Sequence, residues 1–372
     1  MNRVLGICNL HDAPNLGRLT ANSTLGCVTF LGRFGLMDFT LSNFSNSGIN
    51  KICVLVEDHV QSVRNHIGDG QVWVSNTKTG FQRILFNEKG VSSPKFNTDI
   101  ANIVANRDVI EEASFEYVII APAFFIMNVD FRDIIKAHIY SKKKISMLYT
   151  KVDNADKEFI NCDTISFKKD KSISGVGYNI GKSLKANISL ETFVINRDEF
   201  FKLVDQQKDV SHIYTLRRMI YHNISTGELD ANAIEFKDIV IPFLSYDHYV
   251  KNSMAVLEKS VAERLFKKDW LIYTKIHSTP PTMYGPDAEV KNCYIANGCK
   301  INGKVENSIL SRDVIIEKGA VVKDCILFTH TEVGKGVNAQ YLMCDKSVKI
   351  VTEKNPTGEK DSYLYIGRGA KI

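Results

Sequence analysis

Asp38-Phe-Thr-Leu-Ser-Asn-Phe-Ser-Asn-Ser-Gly-Ile49 runs almost directly into Ile52-Cys-Val-Leu-Val56. Leu41 and Phe44 share a face at i, i+3 spacing and Gly48 stands where a helix would stop, so the pair reads as a short amphipathic helix leading into a buried strand. The same alternation extends outward to about residue 265. Val4 to Cys8, Tyr117 to Ala121 and Ile145 to Tyr149 are strand-like, while Asp58 to Ile67, Asp99 to Ala113 and Asp130 to Tyr140 carry helical patterns. This order predicts an α/β domain with a mostly parallel sheet, helices on its faces and right-handed crossovers. Ligands of such sheets bind beyond the carboxyl ends of the strands, which directs attention to the segments after Cys8 and Ala121.

Beyond Tyr284-Gly-Pro286 the period changes. Ile309, Ile315, Val321, Leu327, Val333 and Ala339 recur every six residues, preceded by Ile295 and Ile301, with Glu317-Lys-Gly319 and Gly334-Lys-Gly336 in the turns. One inward aliphatic residue per six predicts a hexapeptide-repeat left-handed β-helix. A β-sandwich would need alternation with period two over longer strands. The eight-residue step from Ile301 to Ile309 is read as a corner loop. Ser278-Thr-Pro-Pro281 cannot continue a helix. The expected layout is therefore an α/β domain over 1–265, a linker over 266–286 and a β-helix over 287–372.

The chain has 372 residues, 44% hydrophobic and 24% charged, with 47 basic against 42 acidic side chains and a net charge of +5. That excess, spread thinly and clustered only at Lys142 to Lys144, argues against nucleic acid. No apolar run approaches a membrane span, and the N-terminus enters a strand with no leader-like segment, so a cytoplasmic location is expected. Cys8, Cys27, Cys53, Cys162, Cys293, Cys299, Cys325 and Cys344 form no C-x-x-C pair and read as reduced, buried side chains.

Phe39 to Ile49 resembles the F-x-L-S-N-x-x-N-S-G-I run of glucose-1-phosphate adenylyltransferases, which make ADP-glucose, and the two-domain layout resembles that family as well. The resemblance implies a nucleotidyltransferase fold, Mg²⁺ chemistry and an oligomer. Adenylyl transfer brings polyanions together, so it calls for a glycine-rich loop, basic side chains and metal-holding carboxylates.

The family's G-G-x-G-x-R-L loop corresponds to a longer segment in which only Gly6, Gly17 and the adjoining Arg18 remain, with Ile7 and Cys8 in the expected tight approach. Its R-A-K-P arginine and lysine fall on Ser23 and Leu25, and the glycine pair before R-L-I-D-F is reduced to Gly32 beside Leu31. The aspartate of A-G-D-H-I-Y falls on Ala123, with Asn128 and Asp130 the next oxygen-bearing side chains and Asp130 read as a helix cap. A second metal aspartate falls near Pro242, and nearby Asp247 reads as an N-cap. The E-K-P lysine that holds the sugar phosphate is missing, with Lys182 and Lys185 reading as surface residues. Glu191 stands where a glycine would admit the sugar, and a carboxylate there would repel a phosphorylated one. In the nucleotide segment the glycine and aspartate fall on Thr98 and Ala101, leaving Asn106 and Asp108 as matches.

These losses resemble the non-catalytic, regulatory GlgD-type branch. The resemblance implies no catalytic or metal residue in this chain and no cofactor of its own, Mg²⁺ being used by a catalytic partner. It also implies a hetero-oligomer, expected as a tetramer, or a homo-oligomer when the chain is alone. Sugar-phosphate or anion effectors are expected where the domains meet, with Lys267, Lys268, Lys275 and His277 the candidate side chains. A second reading is an active sugar nucleotidyltransferase rebuilt around His11, Asp12 and Asp130. A third, from another class, is a hexapeptide acyltransferase, for which His330 is the histidine within the repeats.

Overall fold

A computed structural model describes residues 3–88, 94–169 and 172–372 of the protein. The α/β region opens with β1 (Val4–Asn9), a short hairpin of β2 (Thr29–Phe30) and β3 (Phe34–Gly35), α1 (Met37–Asn46), β4 (Lys51–Val56), α2 (Val60–Ile67) and β5 (Phe81–Phe86). It continues through α3 (Asp99–Ala105), α4 (Arg107–Glu111), β6 (Tyr117–Pro122), β7 (Phe125–Ile126), α5 (Phe131–Ser141) and β8 (Ile145–Val152). It closes with β9 (Asp163–Phe167), β10 (Ile173–Tyr178), β11 (Ala186–Asn196), α6 (Arg197–Val210), α7 (Leu216–Thr226), β12 (Ala231–Glu235), β13 (Ile241–Pro242), α8 (Tyr246–Ala255) and α9 (Lys259–Leu265).

The sheet runs β10-β9-β11-β6-β1-β4-β5, with β8 and then β12 attached at β11. Its β6-β1-β4-β5 half is parallel. The other half is mixed, because β11 runs antiparallel to β6, β8 and β9. Short backbone geometry explains two departures from the expected elements. The helix expected over Asp99 to Ala113 divides at Asn106, which leaves helical geometry at φ −119° and turns its side chain onto the Asn102 and Phe86 carbonyls. The helix near Asp247 is capped by Ser245, whose hydroxyl accepts from the His248 N–H, so Asp247 lies within the first turn.

From Met283 onward, three parallel sheets stack into a β-helix. Ile309, Ile326 and Met343 align at one level, a repeat of 17 residues per coil instead of 18. The missing residue is removed at one corner, where Asn307, Asp324 and Tyr341 adopt positive φ. The inward column is consequently Leu310, Ile316, Val322, Leu327, Val333, Ala339, Cys344 and Ile350. It corrects the column read from the sequence at Ile309, Ile315 and Val321. Ile309 is apolar because it points outward into the core shared with the α/β domain, beside Ile326 and Met343. The eight-residue step from Ile301 is not a loop but a tighter coil. Gly303 makes it possible, since a Cβ there would lie 2.4 Å from the Ala320 carbonyl oxygen.

Between Leu265 and Met283 no regular element occurs, and α1 supplies the hydrogen bonds that hold this stretch. Asn43 donates to the Met127 carbonyl (2.8 Å) and accepts from the Val129 N–H (3.2 Å) and the Trp270 indole N–H (2.9 Å). Ser42 accepts from the Tyr273 N–H (2.9 Å) and Asn46 donates to the Leu271 carbonyl (2.9 Å). Replacing Asn43 with Ala leaves buried partners unpaired and is expected to cost on the order of 3 kcal/mol, read as a lower urea midpoint. Gly32 sits at φ +70° with the Leu310 oxygen 2.5 Å from where a Cβ would lie. Gly32→Ala should therefore destabilise the junction by about 2 kcal/mol in the same measurement.

Candidate functional site

The carboxyl ends of β1 and β6 meet the middle of the antiparallel β11, around Glu191, at the place where a ligand of this fold would sit. The residues there form an apolar seal and a buried ion cluster. Ala123, just past β6, is buried between Pro122 and Phe124. Pro242 lies in β13, which pairs antiparallel with β7 and sets Pro242 opposite Phe125. Phe243 donates its N–H to the Phe124 carbonyl at 2.8 Å. Thus the two positions that the family resemblance assigns to metal carboxylates are brought to one short hydrophobic ladder. Asn128 is committed to the Leu265 carbonyl at 2.6 Å. Asp130 caps α5 and is clamped by Arg132, which holds its carboxyl below the usual range. Among the described residues no group of three His, Cys, Asp or Glu side chains could hold a metal ion. The donor set does not fit Mg²⁺, which takes its few protein ligands from carboxylates.

Beside the seal, the Arg217 guanidinium from α7 is paired with Asp12, Glu191 and, at 3.1 Å, Asp163. Glu191 holds a positive φ of 49° within β11, so the strand kinks and aims the carboxylate at Arg217. Burial raises the Glu191 carboxyl to about 7, against the opposing pull of Arg217, and pushes Asp163 upward for the same reason. The remaining space, lined by Asn9, His11, Pro122, Glu191 and Arg217, is about 20 Å³. That is room for about one water molecule, not for a sugar phosphate.

His11 and Asp12 do not form a catalytic pair. His11 is buried between the Asn97 carbonyl (3.2 Å at Nδ1) and the Asn102 amide (3.0 Å at Nε2), an arrangement for a neutral ring, and burial lowers its pKa. Asp12 turns instead to Arg217. Asp99, missed in the sequence, ties these segments together. Its carboxylate accepts from the Asn9 amide (2.8 Å) and from the Ile100 (2.8 Å) and Leu216 (2.9 Å) N–H groups.

The loop after β1 encloses a second, open hollow of about 620 Å³ whose rim includes Asn15, Gly17, Arg18, Thr24, Glu57 and Asp58. Gly17 is in this rim at φ +62°, where a Cβ would meet nothing. Gly6 is inside β1 instead, where a Cβ would press on the Phe44 ring at 3.0 Å, and Ile7 and Cys8 are buried in the sheet. Arg18 leans onto Tyr365 of the β-helix, 5.3 Å from the ring centre. Ser23 and the buried Leu25 line this hollow, whereas Asn106, absent from its lining, bridges α3 to β5.

The four effector candidates separate into two places. Lys267 pairs with Asp238 at 2.6 Å, and Lys268 is the next residue along the chain. Lys275 and His277 line a pocket of about 140 Å³ with Arg33 from the α/β domain and Arg312 from the β-helix. Burial, Arg312 and Lys275 together lower the His277 pKa, and burial with Arg33 lowers that of Arg312. The Thr274 and Thr279 hydroxyls in its wall are buried without partners among the described residues. Crowded cations beside unpaired hydroxyls suit a small oxyanion. Arg33 and Arg312 were not singled out because isolated arginines in loops carry no sequence signal. His330 is exposed at a β-helix corner, φ +62°, 3.8 Å from Asp313.

Residues 15–159 match the nucleotidyl transferase family model, and residues 282–361 match that of the GlmU-like C-terminal hexapeptide. The chain is 26% identical to the glycogen biosynthesis protein GlgD of Bacillus subtilis, over 99% of this chain and 96% of that one. Glucose-1-phosphate adenylyltransferase of Clostridium perfringens strain SM101 is 27% identical over 87% of this chain and 83% of its own. GlgD of Geobacillus stearothermophilus is 27% identical over 86% of this chain and 83% of its own. The chain is thus similar to glucose-1-phosphate adenylyltransferases and GlgD proteins over most of its length. The resemblance read from Phe39 to Ile49 and from the two-domain layout holds over nearly the whole chain. Among the described residues no helix is long and apolar enough to cross a membrane.

The ion cluster gives a pH signature. A carboxyl whose pKa is raised on folding binds its proton more tightly in the native state, so its contribution is fully present below about pH 4.5 and declines as pH rises to about 7. Arg217→Leu strands three carboxylates and should cost roughly 3 kcal/mol or more at pH 8. Its cost at pH 5 should be clearly smaller, since Glu191 is then protonated. Urea unfolding at the two pH values checks the difference, and equal costs would contradict the assignment.

Proposed function

We propose that the chain is a non-catalytic, regulatory subunit related to ADP-glucose pyrophosphorylase, acting in glycogen biosynthesis beside a catalytic homologue. The observation that carries this reading is the replacement of a metal-binding, sugar-phosphate-binding cleft by the Ala123–Pro242 seal and the Arg217 cluster. Repulsion from Glu191 and the small free volume oppose a phosphorylated sugar, and the lack of a suitable donor group among the described residues opposes Mg²⁺. The open hollow beside Gly17 retains space for a nucleotide as a regulatory ligand, with Arg18 its nearest cation. The likeness to proteins named GlgD supports the pathway, and the partner is expected to form a hetero-oligomer, a tetramer, in the cytoplasm.

Small anions or sugar phosphates are the effectors this reading expects, and the Arg33–Arg312 pocket is their place. Lys267 is held by Asp238 and is secondary.

The purified chain with ATP, glucose 1-phosphate and Mg²⁺ should make no ADP-glucose above background, whereas enzymes of this kind turn over on the order of 1 to 1000 per second. Mixed with the catalytic homologue, it should displace that enzyme's effector response curve. Turnover by the chain alone, or an unchanged curve in a mixture shown to assemble, counts against the proposal. The paired substitution Arg33→Ala and Arg312→Ala should abolish the displacement, while Lys267→Ala and Lys268→Ala should leave most of it.

A further inference from the structure

Away from the cleft, a hollow of about 370 Å³ opens where α8 meets one corner of the β-helix. It is unrelated to the basic pocket in position and in charge. On the β-helix side the shortened corner stacks Asn292, Asn307 and Asp324, all with left-handed backbone. The Asn292 amide donates to the Asn307 carbonyl oxygen at 2.9 Å, and the Asn307 amide donates to the Asp324 carboxylate. This ladder stops at the hollow, because the next corner residue is Tyr341, whose ring packs on Tyr363 at 5.7 Å between centres. On the opposite wall, the Tyr246 hydroxyl and His248 Nδ1 are buried with no hydrogen-bond partner among the described residues. Buried polar atoms are almost always paired, so two orphans in the wall of one cavity point to a missing partner.

The lining narrows the chemistry of that partner. A phenol hydroxyl and an imidazole nitrogen can each give or take a hydrogen bond. A ligand hydroxyl answers both, whereas an ammonium group only donates and a phosphate chiefly accepts. Asp247, Asp324 and Asp361 outnumber Lys251 and Lys360, and Lys251 is already paired with Glu158, so anions are disfavoured. Three tyrosine rings supply apolar surface for C–H groups. The volume lies within the range of small-molecule sites.

We propose that this hollow binds a neutral carbohydrate of one or two hexose units, with hydroxyls on Tyr246, His248 and the Asp324 carboxylate and a ring face on Tyr363. The site rests on α8 and the β-helix corner alone and does not depend on the regulatory reading.

Isothermal titration of the full chain with glucose and with maltose tests it, with spermidine and inorganic phosphate as the charged comparisons. Saturable binding of at least one sugar, with a dissociation constant in the millimolar range or below, is expected. Tyr363→Ala should weaken it more than 10-fold. Tyr246→Phe, which removes only a hydroxyl and preserves the ring, should weaken it several-fold with the melting temperature unchanged. No saturable signal from either sugar, sugar binding indifferent to both substitutions, or saturable binding of spermidine or phosphate in place of sugar would each overturn the assignment.

Discussion

Asn43 joins three irregular stretches of main chain: the segment after β7, the approach to α5 and the linker turn at Trp270. An amide buried in the middle of a helix is costly unless every bond is made. Here the cost is offset because the irregular segments present N–H and C=O groups that would otherwise be orphaned. Ser42, Asn46 and Ser47 act in the same way on Tyr273, Leu271 and Phe131. One polar helix face therefore sets the path of the linker and, through it, the seat of the β-helix against the aromatic core around Phe30, Phe243 and Tyr249.

None of these bonds involves a catalytic group. Thr40 donates to the Pro122 carbonyl at 2.8 Å, which fixes the end of β6 whatever side chain follows it. Residue 123 can then be alanine without disturbing the frame. The charges buried in the cleft are satisfied by one another. Arg217 does this by gathering Asp12, Asp163 and Glu191, and burial keeps the Glu191 carboxyl raised to about 7 against the pull of the guanidinium.

How much of this was legible in the sequence depends on the range of the interaction. The helix at Asp38 to Gly48, the parallel strands and the six-residue repeat are local patterns, and they were readable. The phase of the repeat was not, because Ile309 is apolar for a reason outside the β-helix: it packs on the other domain. The loss of a carboxylate at Ala123 was visible residue by residue. The pairing within the ion cluster was invisible, since Asp12, Asp163, Glu191 and Arg217 come from four distant segments: Glu191 and Asp12 stood out singly, but nothing in the sequence joined them to Arg217. The same holds for Arg33 and Arg312, and for Gly6, whose need for a small side chain comes from the Phe44 ring and not from a phosphate.

The positions of the closed cleft and the basic pocket also differ in what binding there can do. A ligand confined to the cleft would compete with internal ion pairs of one rigid domain. Arg33 and Arg312 belong to different domains, and Thr274 and Lys275 directly follow the residue that Ser42 grips. An anion between them would draw together two like charges that otherwise repel, and its differential affinity would act on the angle between the domains. The fixed ladder from Asn43 to Trp270 gives that change a stiff element to act through, so a chain with a sealed cleft retains the mechanical parts needed to pass a binding event to its surface.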